Sequence, residues 1–228
     1  MHSNSSLEAQ PWPAHDLLQI SGASDLVLPE PYPLWVEESL RRAPFVVVRR
    51  AAMVDGMIPV GVRGLLRKQR FAAYLAPGAI LGRITPEQLV EARPAQARAR
   101  SGQIPALKAL EIIETKLAGF PFRWGPAGSI GFELATGLAA ANPGSDLDLV
   151  IRVPERLPTA AAAALLASLS AAPCGVDVQL ETPRGAVSLA EYARGEKPYL
   201  LRQSSGPGFV CDPWHPDPSA TGYTLRRF

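Results

Sequence analysis

The run Asp146-Leu147-Asp148-Leu149-Val150-Ile151 restricts the fold more than any other stretch of this chain. In a β-strand successive side chains point to opposite faces. Leu147, Leu149 and Ile151 then enter a core, while Asp146 and Asp148 project together from the other face. Two carboxylates side by side repel each other unless a cation lies between them. Mg²⁺ suits oxygen ligands and usually binds with a substrate phosphate. Upstream, Gly128-Ser129 opens an apolar, helix-like run. A glycine allows a backbone to approach a phosphate closely, and a helix start offers free N–H groups and a positive dipole end. The Ser129 hydroxyl adds a donor. An anion cradle followed by paired carboxylates outlines a centre for metal-assisted displacement at a phosphate.

A third carboxylate lies in Val176-Asp177-Val178-Gln179-Leu180-Glu181, which alternates apolar and polar residues. Beside strand 146–153, this strand would bring Asp177 to the acid pair and complete a metal platform. Alternatively, it is an amphipathic edge strand with a solvated polar face.

The remaining elements suggest an α/β (α+β) chain with two domains. Residues 37–40 read as a short helix with Trp35, Val36 and Leu40 on its buried side, and 45–50 and 58–64 read as strands. Residues 65–75 fit helix or strand equally. Thr85-Pro86-Glu87-Gln88 is a helix start, with a capping Thr and Pro at the first position. Periodicity then fails over 94–104, which reads as a linker, so the expected domains are 1–95 and 96–228. Leu107, Leu110, Ile113 and Leu117 recur at helical spacing. Further helices are expected over 158–172 and 187–195, and a closing strand, turn and aromatic anchor from Tyr199 to Trp214.

Composition narrows the function. The net charge is +2, which gives little attraction for nucleic acid. No stretch approaches the ~18 apolar residues of a membrane span. The first residues show no basic start followed by an apolar stretch, so a soluble cytoplasmic protein is expected. Cys174 and Cys211 stand far apart and outside any Cys-x-x-Cys, as reduced thiols do. Arg63, Arg67, Lys68 and Arg70 form a basic cluster that is either a contact for phosphates or an acidic partner, or a solvated face. Trp124 is read as core packing in preference to a base-stacking residue, and His15 as a structural or surface residue.

With these residues in view, the chain resembles the nucleotidyltransferase superfamily, whose pattern is Gly-Ser at a helix start followed by Asp-x-Asp on a strand. Gly128, Ser129, Asp146 and Asp148 match it, with a somewhat longer gap between Ser129 and Asp146 than most members have. The ordered set HDLL, IPVGVRG, RFAAYL, TPEQL, RWGPAGSIGFELATG, SDLDLVI, VDVQLETPRGA and DPW, spanning about residues 14–215, looks like the phosphoribosyl-dephospho-CoA transferases of malonate decarboxylase. These are also called malonate decarboxylase holo-acyl-carrier-protein synthases. The resemblance implies a nucleotidyltransferase-like C-terminal domain on a small mixed sheet and a smaller N-terminal α+β domain. It implies transfer of phosphoribosyl-dephospho-CoA from 2′-(5″-triphosphoribosyl)-3′-dephospho-CoA to a serine of the apo acyl-carrier subunit, with loss of pyrophosphate.

On that reading Asp146 and Asp148 hold Mg²⁺. Asp177 binds metal as well or takes the acceptor proton. Gly128 and Ser129 grip the triphosphate, and Arg63 and Arg70 contact donor phosphates or the acidic carrier. Two rivals stand beside it: a nucleotidyltransferase with another donor or acceptor, and a non-catalytic module that docks a carrier protein.

Overall fold

A computed structural model of the chain describes residues 12–66, 68–91 and 100–216. It divides into two compact units, Met1–Thr85 and Pro86–Phe228. The expected boundary between residues 95 and 96, and part of the expected linker, fall on 92–99, outside the described residues. Among the described residues, no helix is long and apolar enough to cross a membrane.

The first unit is built on an antiparallel sheet of six strands. They are β1 (Leu17–Gln19), β2 (Leu26–Val27), β3 (Phe45–Val48), β4 (Ile58–Arg63), β5 (Arg70–Leu75) and β6 (Gly82–Ile84), in the order β2-β5-β4-β3-β1-β6. Residues 70–75, ambiguous from periodicity, are strand because they pair along the whole of β4. Helix α1 (Trp35–Arg42) has Glu37 and Glu38 in its first turn and Arg41 and Arg42 in its last, which suits the helix dipole. Val36 and Leu40 are buried in one core with Leu18, Val46, Val48, Ile58, Val60 and Leu75.

The second unit opens with helix α2 (Pro86–Glu91) and continues with α3 (Pro105–Lys116). On α3, Leu107, Leu110 and Ile113 are buried, as their spacing predicts. A mixed sheet comes next, in the order β12-β11-β10-β9-β8-β7. Its strands are β7 (Trp124–Pro126), β8 (Leu147–Arg152), β9 (Val176–Thr182), β10 (Gly185–Ser188), β11 (Tyr199–Gln203) and β12 (Gly206–Val210). Helix α4 (Gly128–Thr136) stands between β7 and β8, α5 (Thr159–Leu169) between β8 and β9, and α6 (Leu189–Arg194) between β10 and β11. The α+β class and the small mixed sheet expected from the sequence are both present.

Three details differ from the expectation. Val187 and Ser188 extend strand β10, because the chain turns back at Gly185 and pairs with β9 before α6 begins. The closing segment is a hairpin of two strands, β11 and β12. Residues 124–126, to which the sequence assigns no element, form β7, which pairs antiparallel with β8. The aromatic anchor holds: Trp214 is buried, its indole N–H donates to the Val153 carbonyl (2.8 Å), and its ring meets Tyr192 edge-on.

Candidate active site

The site grows from the pairing of β8 with its neighbours. β8 and β9 are parallel, and their register sets Asp148 opposite Asp177. Leu147, Leu149 and Ile151 of β8 and Val178 and Leu180 of β9 fill the core on the other face. The alternation that buries these aliphatics therefore also places the two acids on one face of adjacent strands. Asp148 is half-buried and Asp177 exposed. The Gln179 amide lies 3.4 Å from the Asp177 carboxylate.

Asp146 stands one residue before β8 and is exposed. Its position is set by the segment entering β9, since the Leu147 N–H donates to the Gly175 carbonyl (2.9 Å). A Cβ on Gly175 would come within 2.8 Å of Asp146 Oδ1. Beside it, burial pushes the Cys174 thiol above its ordinary pKa, and the Asp146 charge adds to the rise, partly offset by a hydrogen bond with the Leu147 backbone.

The other side of the site is the start of α4. The Ala127 N–H donates to the Asp148 carbonyl (2.8 Å), so the chain leaves β7 still attached to β8. Gly128 then takes a left-handed conformation, φ +57°, which favours glycine. A Cβ there would lie 1.8 Å from Asp148 Oδ2, so the carboxylate occupies the space that a side chain would need. The N-cap residue of α4, Ala127, makes no side-chain cap. Asp148 Oδ2 lies against this helix start, and helix starts of this kind receive anions. Ser129, the next residue, is half-buried.

Gly128, Ser129, Asp146, Asp148 and Asp177 all belong to the second unit, and its pairing brings Gly128, Asp148 and Asp177 together. Among the described residues, no group of three or more His, Cys, Asp or Glu side chains is placed to hold a metal ion by itself. The carboxylates offer oxygen donors only. Mg²⁺ is commonly held by one or two carboxylates plus substrate phosphates, so an acid beside an anion cradle suits it. Arg63 and Arg70 belong to the first unit, where they are register partners at one end of β4 and β5; Arg63 is buried and Arg70 exposed. Arg67, part of the same basic cluster, lies outside the described residues.

Sequence reading passed over Gly175 and Glu133. Glu133 is buried on α4 and accepts the N–H groups of Ala140 and Ala141, each at 2.9 Å, on Oε2. Its Oε1 is paired with Arg100 Nη1, and Arg100 Nη2 donates to the Ala141 carbonyl (3.0 Å). The available signal was a lone acid inside the apolar run Gly-Ser-Ile-Gly-Phe-Glu-Leu.

Comparison with known proteins places these residues in context. Residues 13–86 match the family model described as the phosphoribosyl-dephospho-CoA transferase MdcG N-terminal domain, and residues 89–213 its C-terminal domain. The two matches meet where the chain divides into its units. The chain is 43% identical over 210 residues to a Pseudomonas fluorescens protein, covering 92% of this chain and 97% of the relative. It is 41% identical over 200 residues to one from Pseudomonas aeruginosa, covering 88% and 92%. It is 43% identical over 204 residues to one from Azotobacter vinelandii, covering 88% and 93%. All three are named phosphoribosyl-dephospho-CoA transferase. No solved structure matches the chain.

Proposed function

From the premise that the chain belongs to the phosphoribosyl-dephospho-CoA transferase family, we propose that it attaches this group to the apo acyl-carrier subunit of malonate decarboxylase. The donor is 2′-(5″-triphosphoribosyl)-3′-dephospho-CoA, and the reaction is a Mg²⁺-dependent nucleotidyl transfer in the cytoplasm. The carrier serine Oγ attacks the innermost phosphorus of the triphosphate and forms a phosphodiester. The bond from that phosphorus to its bridging oxygen breaks, pyrophosphate leaves with the electron pair, and the serine proton passes to a base.

The observation that carries the reading is the contact of Gly128 with Asp148, where a Cβ would lie 1.8 Å from Oδ2. It puts the acid beside the backbone that would receive phosphate oxygens. Asp146 and Asp148 would hold the metal, with Asp177 as a further ligand or as the base that takes the serine proton. Bound there, Mg²⁺ supplies charge compensation for the triphosphate and for departing pyrophosphate. Gly128 and Ser129 bind and orient the triphosphate through backbone N–H groups and the hydroxyl. Asp177, exposed on the adjacent strand, is reachable by an incoming macromolecule. Arg63 and Arg70 are assigned to donor phosphates or the acidic carrier.

The test is a transfer reaction read by the intact mass of the carrier. Apo carrier subunit, the triphosphoribosyl donor and Mg²⁺ should give a mass gain equal to the prosthetic group. EDTA or Asp148→Asn should abolish it. No gain with the wild-type protein rejects the assignment, and a gain with ATP as donor points to a different nucleotidyl transfer.

A further inference from the structure

We propose that Glu133 is a positioning residue for the acid pair, acting through the segment from 137 to 146; this rests on the transferase reading above. Helix α4 carries the phosphate-binding end of the site at Gly128 and Ser129, and Asp146 and Asp148 arrive only after a stretch without helix or strand. Such a stretch has much conformational entropy to lose before it can present two acids reproducibly. Glu133 restrains it near its middle. One carboxylate oxygen holds the N–H groups of both Ala140 and Ala141, and Arg100 closes the arrangement by bonding the other oxygen and the Ala141 carbonyl.

Beyond Ala141 the chain forms a self-closed turn. The Asn142 N–H donates to Ser145 Oγ (3.0 Å), the Gly144 N–H to Asn142 Oδ1 (2.9 Å), and the Ser145 N–H to the Asn142 carbonyl (2.9 Å). Asp146 directly follows that turn. Two anchors in series thus connect the helix that grips phosphate to the strand start that bears the acids. A carboxylate buried to 3% exposure is tolerated only when paired and hydrogen-bonded. Here both requirements are met by the segment it holds and by Arg100. Glu133 touches neither donor nor acceptor on this reading. It fixes the separation between the two parts of the site.

The test uses the full-length protein and variants Glu133→Gln, Arg100→Ala and Arg100→Lys, with Tyr192→Phe as a control. The control loses the hydroxyl that donates to the Leu157 carbonyl, beyond the far end of β8. Three quantities are read: amide hydrogen exchange at Ala140 and Ala141, Mn²⁺ binding by electron paramagnetic resonance in the presence of pyrophosphate, and kcat and donor KM in the transfer assay. Arg100→Ala should speed exchange at both amides, weaken Mn²⁺ binding about 10-fold and lower kcat similarly, as loss of an outer-shell partner does. Arg100→Lys should recover most of the loss. The control should lower thermal stability without changing Mn²⁺ binding.

Unchanged Mn²⁺ binding and kcat in folded Arg100→Ala and Glu133→Gln would overturn the proposal and leave Glu133 a purely structural residue. Unchanged exchange at Ala140 and Ala141 would overturn it too. Wild-type protein that binds Mn²⁺ and transfers while the variants match it refutes only this inference. Wild-type protein that does neither refutes the transferase reading and this inference with it.

Discussion

Gly128 and Asp148 occupy one space: a methyl on the glycine would come within 1.8 Å of the aspartate Oδ2. Gly128→Ala therefore has two effects. Holding an alanine at φ +57° costs about 1–2 kcal/mol. The methyl also has to displace the Asp148 carboxylate. A displacement on the order of 1 Å is worth about 100-fold in rate, so transfer should fall at least that much while melting temperature drops only modestly. A variant that keeps near wild-type activity would show that the contact has no part in the chemistry.

Asp148→Asn keeps the shape of the side chain and removes its charge. On the proposed metal role, the loss of charge compensation, on the order of 4 kcal/mol, should lower the rate roughly a thousandfold. Asp177→Asn should be milder if Asp177 is a second ligand and comparable if it is the base. In the latter case, the fall in kcat should lessen as pH rises and hydroxide replaces the missing base. The carrier mass assay, run as a time course at several pH values, separates these outcomes.

Cys174 reports on Asp146. Burial first, and the neighbouring Asp146 charge second, hold the thiol above its ordinary pKa. In EDTA buffer, Asp146→Asn should lower that pKa and increase the thiolate fraction near neutral pH. Alkylation of Cys174, read by peptide mass, should then run a few-fold faster than in the wild-type protein. An equal rate would mean that the Asp146 carboxylate lies too far from the thiol to act on it.

In the first unit, Asp16 is fully buried and receives Arg83 Nε at 2.6 Å and Nη2 at 2.5 Å. Arg83 also lies over the Trp12 ring, 5.7 Å from its centroid. Arg83→Ala removes the guanidinium from a buried carboxylate and should cost about 3 kcal/mol. Arg42→Ala breaks an exposed i,i+4 pair with Glu38 and should cost less than about 0.5 kcal/mol. Denaturant melts of the two variants give the comparison directly.

Acid should loosen the Trp214 anchor. Burial raises the Asp212 pKa, but the backbone N–H groups of Trp214 and His215, the His215 side chain and Arg156 outweigh it and hold the carboxyl below its ordinary value. A depressed carboxyl contributes stability above its unfolded pKa and loses it as pH falls through the folded one. The contribution should therefore fade below about pH 4. Tryptophan fluorescence against pH tracks it, and Asp212→Asn should remove that part of the acid dependence.

The acid strand was legible because one alternation does two tasks: the spacing that buries Leu147, Leu149 and Ile151 sets Asp146 and Asp148 on the other face. The Gly128 contact was not legible, since it joins residues on different elements through the pairing of β7 with β8. β7 itself escaped because Trp124-Gly125-Pro126 has neither alternation nor length, and it is a strand only by virtue of its partner. Val187 and Ser188 run without a break into the amphipathic α6 sequence, so periodicity alone extends the helix over them. The basic cluster read as a single patch, yet Arg63 is buried and Arg70 exposed, a distinction set by packing and invisible in composition.

The crossover through α5 gives its two ends very different freedom. The chain leaves β8 at Arg152, at the end of the sheet away from the acids, and passes through exposed residues 154–156. It returns through Gly175, against Asp146, directly into β9. Changes in chain length can therefore accumulate at 154–156 without reaching the chemistry, while a single inserted residue at 173–175 would move Asp177 out of step with Asp148. The departing end is the place where this enzyme can diversify, or accept a grafted peptide. The returning end preserves the register of Asp177 with Asp148, the pair that the proposed reaction uses.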